Sequence, residues 1–249
     1  MDARLQISDF ETNLLGVPVG RLSIRGDVAG TDADDDLRRL AAGWPEKRIW
    51  LVSCRVAEAS PLIPALEGVG FQVVETLVTF RHDLTGAPAA ADVDTARVGD
   101  ADACVAIAKR AFVHDRLHRD SRIPNAVADL VRENWVRNDL GGRADASLVV
   151  RADGTVVGFN LCLLDGDEAV IDLIAVAVGR QNRGIGRRLV GGALARYRGR
   201  ARTMRVGTQA DNAPSIKLYR GAGFVEADRR ITLHWVNQAT APTLTKGSR

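Results

Sequence analysis

The sequence predicts a mixed α/β architecture in two domains. Strand-like and helix-like segments alternate along most of the 249 residues, the pattern of a sheet layered with helices. A small, uncharged run, Thr85-Gly86-Ala87-Pro88-Ala89-Ala90-Ala91, interrupts the alternation and reads as a linker. The end of the first part also echoes the end of the second. The expected layout is a domain over residues 1–84, a linker over 85–94, a second domain over 95–238 and a disordered tail over 239–249.

Composition narrows the class. Hydrophobic residues make up 46% and charged residues 26%, an ordinary globular balance. No apolar run approaches the ~20 residues of a membrane span. The start, Met1-Asp2-Ala3-Arg4, has no apolar signal region. Cys54, Cys104 and Cys162 lie far apart, without the paired spacing of a disulfide framework or zinc ribbon. These features predict a cytoplasmic protein with reduced thiols. The formal net charge is only +3, yet no Asp or Glu occurs between Asp172 and Asp211, a stretch with nine arginines from Arg180 to Arg205. Such a local field attracts an anion, either nucleic acid or a small polyphosphate. The plainer reading is a solvated arginine-rich helix face.

The first domain reads ββαβαβ. Its strand from Phe71 to Phe80 leads into the linker. Ungapped, Ala57, Pro61, Ile63, Gly68, Gly70, Phe71 and Thr79 fall on Ala210, Pro214, Ile216, Gly221, Gly223, Phe224 and Thr232. This suggests a degenerate half-copy; the alternative is chance similarity between two strand–helix–Gly-Phe–strand units. Ala59 and Leu66 stand where Asn212 and Tyr219 stand, so a true half-copy would have lost its ligand chemistry.

The second domain reads ααβββαβαβ. Asp100 can cap a helix with Cys104, Ile107, Ala108, Ala111 and Phe112 on one face. Pro124 suits the first position of a second helix, with Val127, Leu130, Val131 and Trp135 on one side. Asp153-Gly154 between Ser147–Arg151 and Thr155–Phe159 is a hairpin signal. Ala169 to Val178 is nearly all apolar, as a buried central strand would be. A helix carrying Leu189, Val190, Ala193 and Leu194 follows. A strand from Thr203 to Thr208, a helix from about Ala213 to Arg220 and a strand from Phe224 to about Val236 complete the domain. Trp44, Trp50, Trp135 and Trp235 are expected in cores.

The chemistry concentrates in two stretches. Between the buried strand and the next helix lies Gln181-Asn182-Arg183-Gly184-Ile185-Gly186-Arg187. Gly184 and Gly186 let backbone approach a ligand, and the free N–H groups of a helix start favour an anion. No Lys-Ser/Thr pair follows, as a Walker loop requires, and Leu189 occupies the third glycine position of a dinucleotide fingerprint. Downstream, Asn212 can cap a helix that carries Tyr219 and ends at Gly223-Phe224.

Together these stretches resemble the GNAT superfamily of acyl-CoA-dependent N-acyltransferases, over roughly Thr95 to Val236. Gln181 to Gly186 fits the superfamily pattern Q/R-x-x-G-x-G/A as it stands. The resemblance implies a mixed, mostly antiparallel, splayed sheet with flanking helices, preceded here by the smaller α/β domain. It implies acetyl-CoA as cofactor. Backbone N–H groups from Gln181 to Arg187 (Gln181, Asn182, Arg183, Gly184, Ile185, Gly186, Arg187) would hold its pyrophosphate. Ile174, Val176 and Val178 would line its pantetheine arm, and Asn212 would bond it. Tyr219 would be the general acid for the leaving thiolate, a task suited to a phenol of pKa ~10. A strand N–H near Val176 would stabilise the oxyanion.

A narrower resemblance is to the dTDP-fucosamine acetyltransferases, which N-acetylate dTDP-4-amino-4,6-dideoxy-galactose. It rests on Asp9 to Gly16, Gly70-Phe71, Ala111 to Asp120, Trp135 to Asn138 and Arg205 to Gln209. Leu15 and Leu117 depart from the usual aromatics. It implies an acceptor site around His114, Arg116, His118, Arg119 and Asp120, with the arginines pairing a nucleotide diphosphate, and a homodimer. His114 and His118 have the spacing of a metal pair, but no third ligand is placed beside them, so no metal is expected. Asp172, Glu168 or either histidine could be the general base, and an ordered water would also serve. The expectation is an N-acetyltransferase acting directly on a small-molecule amine, that of a nucleotide-linked deoxyamino sugar. The alternatives are another amine (a protein N-terminus, a polyamine or an aminoglycoside-like compound) or a non-catalytic acyl-CoA sensor. Nucleic-acid and membrane partners are not expected.

Overall fold

The computed structural model of the chain describes residues 2–26, 31–87, 92–112 and 115–244. Its elements are β1 (Asp2–Ile7), α1 (Asp9–Leu15), β2 (Val19–Arg25), α2 (Thr31–Ala42), β3 (Leu51–Ala57), α3 (Ile63–Gly68) and β4 (Gln72–His82). There follow β5 (Asp94–Thr95), α4 (Ala101–Ala111), α5 (Arg116–Arg119), α6 (Asn125–Asn138), β6 (Ala146–Ala152), β7 (Thr155–Asp165) and β8 (Glu168–Val176). Last come α7 (Ile185–Tyr197), β9 (Thr203–Gln209), α8 (Ala213–Gly221) and β10 (Val225–Val236). They form two compact units. The first holds residues 1–77, 116–131 and 229–249; the second holds 78–115 and 132–228.

The first unit orders its strands β1-β2-β3-β10. Its core joins Leu22, Leu37, Trp44, Val52, Leu66 and Phe71 with Leu233. α1 was not expected. Ser8 accepts from the Glu11 N–H, and Gly16 ends the helix in the left-handed region, φ 68°. Seven residues are too few for a clear helical period to emerge from the sequence.

The echo between the two ends extends to the elements. On the alignment that sets Ala57 on Ala210, α3 falls within α8 and β4 falls on β10. Gly70 and Gly223 both have positive φ, 96° and 89°. A Cβ on Gly70 would meet Trp235, and one on Gly223 would meet His82. Each unit also contains one short parallel pair. β2 and β3 pair over Val19–Leu22 and Leu51–Cys54, then stop pairing although both strands continue.

The second unit orders its strands β4-β9-β8-β7-β6-β5. Asp153 and Gly154, both at positive φ, close the expected hairpin between β6 and β7. β8 lies between β7 and β9 and is largely buried, as its composition predicts. Its parallel pairing with β9 covers only Glu168–Ile171 and Thr203–Val206. Beyond Ile171 the two strands separate, which leaves the β9-facing backbone edge of residues 172–176 without a ladder partner. On the other edge the register jumps from Leu161↔Leu173 to Cys162↔Ile171, so Asp172 is the extra residue of a β-bulge. The bulge switches faces. Ala169 and Ile171 join the core under α7 and α8, whereas Leu173 and Ala175 join the core under α4.

Several boundaries differ from expectation. The units draw residues 116–131 and the second half of β10 into the first body, because a strand's pairing partners are not visible in composition. Ala87 is buried in the second core and Asp94–Thr95 forms β5, so the 85–94 segment is not linker throughout. Residues 238–240 form a 3₁₀ turn in which the Thr240 hydroxyl donates to the Ile49 carbonyl, so the tail does not begin at 239. Residues 245–249 lie outside the described residues. Asp100 makes no side-chain cap to α4; its carboxylate takes the Arg97 N–H and Arg151 instead. Trp44 and Trp50 are core residues, while Trp135 and Trp235 are half-buried against the cores.

Candidate active site

The second unit brings the glycine loop, the splayed strands and Tyr219 into one body. β8 ends at Val176, so Val178 lies in the loop beyond it and is exposed. The loop turns through three left-handed residues, Gly179 (φ 81°), Asn182 (φ 60°) and Gly184 (φ 79°). Gly184 is the cap of α7 and supplies no side chain. The first-turn N–H groups, at Ile185, Gly186 and Arg187, therefore have no side-chain acceptor from the cap, and the helix dipole adds partial positive charge there. At Gly186 a Cβ would come within 3.1 Å of Leu218, so this glycine also lets α7 and α8 approach.

The arginine excess resolves into two sets. Arg188, Arg200, Arg202 and Arg205 pair with Asp92, Asp145, Asp167 and Glu168. Arg180, Arg183, Arg187, Arg196 and Arg198 are exposed and in no ion pair among the described residues. The first three lie in the loop or the first turn of α7, and the other two lie at the far end of that helix. α2 of the first unit begins the opposite way, with Asp34, Asp35 and Asp36 in its early turns, which disfavours an anion.

Tyr219 is buried in the core that contains Ile171 and Val206, the last paired rung before the strands separate. Its ring lies 6.0 Å from Phe80 and 5.9 Å from Phe224. Burial alone pushes its phenol well above the usual tyrosine range, so it keeps its proton at neutral pH. Asn212 caps α8 as expected: its Oδ1 accepts from the Ser215 N–H and its Nδ2 donates to Thr208 Oγ1.

Asp172, the bulge residue, stands directly beyond the last paired rung. Arg143 donates to its Oδ2 at 2.7 Å and also donates to Asp139. Asp139 and Arg143 were not singled out from the sequence. A carboxyl and an arginine four apart on either side of Gly141-Gly142 carry no sign of burial, yet the Asp139 side chain is fully buried. Burial raises its pKa to about 6 despite Arg143, and the neighbouring Asp172 adds to the rise. Glu168 occupies the paired end of β8 and is held by Arg81 and Arg205 at 2.5 and 2.6 Å.

The residues expected around the acceptor lie in the first unit, apart from His114, which is outside the described residues. Arg116 is buried, donates to Glu11 at 3.0 Å and lies 3.4 Å from His234. Asp120 takes His234 at 3.0 Å and Arg122 at 2.8 Å. His118 pairs with Asp129 at 3.1 Å, and Arg119 is partly exposed. Hydrogen bonds from His234 and Arg122 hold the Asp120 carboxyl well below its usual range even though burial alone would raise it, and burial pushes His234 down. These residues form an internal network that ties α1, the segment after α5 and β10 together. No group of three metal-ligating side chains occurs among the described residues, and no helix among them is long and apolar enough to cross a membrane.

Residues 107–224 match the acetyltransferase (GNAT) family. The spore coat polysaccharide biosynthesis protein SpsD of Bacillus subtilis (strain 168) is 32% identical over 127 residues, 51% of this chain and 44% of that protein. The mycothiol acetyltransferase of Clavibacter sepedonicus is 32% identical over 142 residues, 56% of this chain and 44% of that protein. The chain thus spans less than half the length of these relatives. Among solved structures, a GCN5-related N-acetyltransferase from Sphaerobacter thermophilus shares the fold over 97% of this chain and 78% of its own, with TM-score 0.68 and 18% identity. A tandem GNAT protein from the clavulanic acid biosynthesis pathway does so over 92% and 77%, with TM-score 0.55 and 15% identity. The family match thus runs from the second half of α4 to Phe224, and the fold is shared along the chain.

Proposed function

We propose that this protein transfers the acetyl group of acetyl-CoA to the amine of a nucleotide-linked deoxyamino sugar. The observation that carries the reading is the separation of β8 from β9 beyond Ile171, with Tyr219 in the same buried core as that last rung. The family uses acetyl-CoA, and the residues present fit it. The bare backbone at Gly184 to Arg187 suits the pyrophosphate, and Arg180, Arg183 and Arg187 suit its remaining phosphate. The unpaired edge of residues 172–176, with Ile174 and Val176, suits the pantetheine amides. When bound, the coenzyme supplies an activated acetyl group. Tyr219 holds the proton needed by the leaving sulfur, and Asp172 is positioned to take the proton lost by the attacking nitrogen. Both side-chain ends of Asn212 are engaged in the cap, so its part in the reading is to set the start of α8.

The sugar acceptor draws support from the polysaccharide role in SpsD's name. The same reading carries a homodimer acting in the cytoplasm. Thiol release from acetyl-CoA tests it, with dTDP-4-amino-4,6-dideoxy-galactose and spermidine as acceptors. Rapid release with the sugar nucleotide and not with spermidine is expected. Release with spermidine alone would overturn the sugar acceptor.

A further inference from the structure

The buried carboxyl of Asp139 has no task in the reaction as described above. α6 ends in a π turn over Asp139–Arg143, and Gly142 at φ 122° lets Arg143 fold back. The guanidinium then bridges two carboxylates, the buried Asp139 and the bulge residue Asp172. The second oxygen of Asp139, Oδ2, is buried with no hydrogen-bond partner. An ion pair that only fastened this turn would need Arg143 and one carboxylate. A second carboxylate, sealed from water and short of a donor, raises the energy of the group and demands a reason.

We infer that Asp139 is a positioning residue that, by sharing Arg143 with Asp172, leaves the Asp172 carboxylate only partly engaged and open to the proton of the attacking amine. The inference rests on the acetyl-transfer reading and goes beyond it. When Asp139 is ionised, Arg143 is shared and neutralises Asp172 only in part. When Asp139 is protonated, Arg143 belongs to Asp172 alone and keeps that carboxylate engaged. As the C–N bond forms, the nitrogen's proton passes to Asp172. As the C–S bond breaks, the sulfur takes the Tyr219 proton. The two protons balance, and no oxidant or metal is required.

The groups that face the pair are few. Arg143 comes from its own turn and Asp172 from β8. From β7 and the start of β6, Cys162 and Asp145 share the field: burial is the main cause of the high Cys162 thiol pKa, and Asp145, Asp172 and Asp139 add to it. Burial pushes the Asp139 carboxyl up to about 6, so turnover is expected to rise with pH through that value in the wild type.

The test compares kcat against pH for the wild type, Asp139→Asn and Arg143→Gln, with acetyl-CoA affinity as the check on folding. Asp139→Asn removes the competitor. It is expected to lose the limb near pH 6 and to lower kcat about tenfold, with KM for acetyl-CoA unchanged. Arg143→Gln leaves two carboxylates without their cation and is expected to move the limb to higher pH. Loss of the limb in Asp139→Asn together with its rise in Arg143→Gln supports the inference. Parallel profiles that differ only in height overturn it, since a merely structural pair would behave so. Carboxyl ¹³C resonances of Asp supply a readout independent of turnover: one titrating near pH 6 is expected, absent in Asp139→Asn and moved down in Asp172→Asn. Absence of that resonance in the wild type overturns the inference whatever the activity. Its presence in a protein that acetylates no amine would overturn the acetyl-transfer reading, and the role given to Asp139 with it.

Discussion

Replacing Gly158 by alanine probes how tightly the start of α7 is set on the sheet. Gly158 lies on β7 opposite Val176. An added Cβ would stand 2.9 Å from Ile185 Cγ2, 3.1 Å from the Ala175 carbonyl oxygen and 3.1 Å from Leu189 Cδ1. Ile185 and Leu189 are the first two buried residues of α7, and the carbonyl belongs to the strand that splays. The methyl group therefore pushes directly on the seat of the cradle. Overpacking of this kind costs ~1–3 kcal/mol, and the smaller unfolded-state entropy of alanine offsets ~0.4–1 kcal/mol. The net of about 1–2 kcal/mol lowers Tm by roughly 2–8 °C for a chain of this size. The tilt it imposes on α7 weakens acetyl-CoA binding about tenfold, or ~1.4 kcal/mol. Gly191→Ala is the control. It lies on the same helix, its Cβ would meet nothing within 4 Å, and it should stabilise by ~0.5–1 kcal/mol. Thermal melts and calorimetric titration with acetyl-CoA read both quantities. A Gly158→Ala protein that melts at or above the wild type and binds with unchanged affinity would refute the packing argument.

Three further outcomes are expected. Tyr219→Phe removes only the phenolic proton, so kcat should fall ~10²–10⁴-fold while the Kd for acetyl-CoA stays the same; near wild-type turnover would remove Tyr219 from the chemistry. Arg116→Ala leaves buried Glu11 with only the exposed Arg21, 3.8 Å away, and should cost ~3 kcal/mol in urea unfolding, against under ~0.5 kcal/mol for the exposed Arg38→Ala; equal costs would contradict the buried network. His234 has a folded pKa below its unfolded value, so the unfolded chain binds more protons in the window between the two. Its contribution is complete above pH ~6.5 and declines as pH falls below it. The stability gap between the wild type and His234→Gln should therefore narrow from pH 8 to pH 5.5, and a gap that widens would reverse the assignment.

The loop and the helices around it were legible because their signals are local. Gly184 needs positive φ, Asn212 needs only the Ser215 N–H, and Asp153-Gly154 needs only its own turn. Each was visible in a few adjacent residues. The bulge at Asp172 was not, since it depends on the register of β8 against β7 and nothing in Ile171-Asp172-Leu173 announces it. The burial of Asp139 was hidden for the same reason: the turn that carries it packs against β7. The network of Arg116, Asp120 and His234 joins residues over a hundred positions apart, and from sequence the first two read as free to meet a ligand. Domain limits failed at β4 and β10, strands that the chain divides between two bodies.

The central claim is that the coenzyme lies along the separated edge of β8 and over the start of α7. Amide hydrogen exchange with and without saturating acetyl-CoA tests it most directly. Protection is expected in residues 172–178 and 184–187, and none at 23–25 or 55–57, where the other parallel pair also separates. Protection at that second place, or no change anywhere along β8 and α7, would contradict the account.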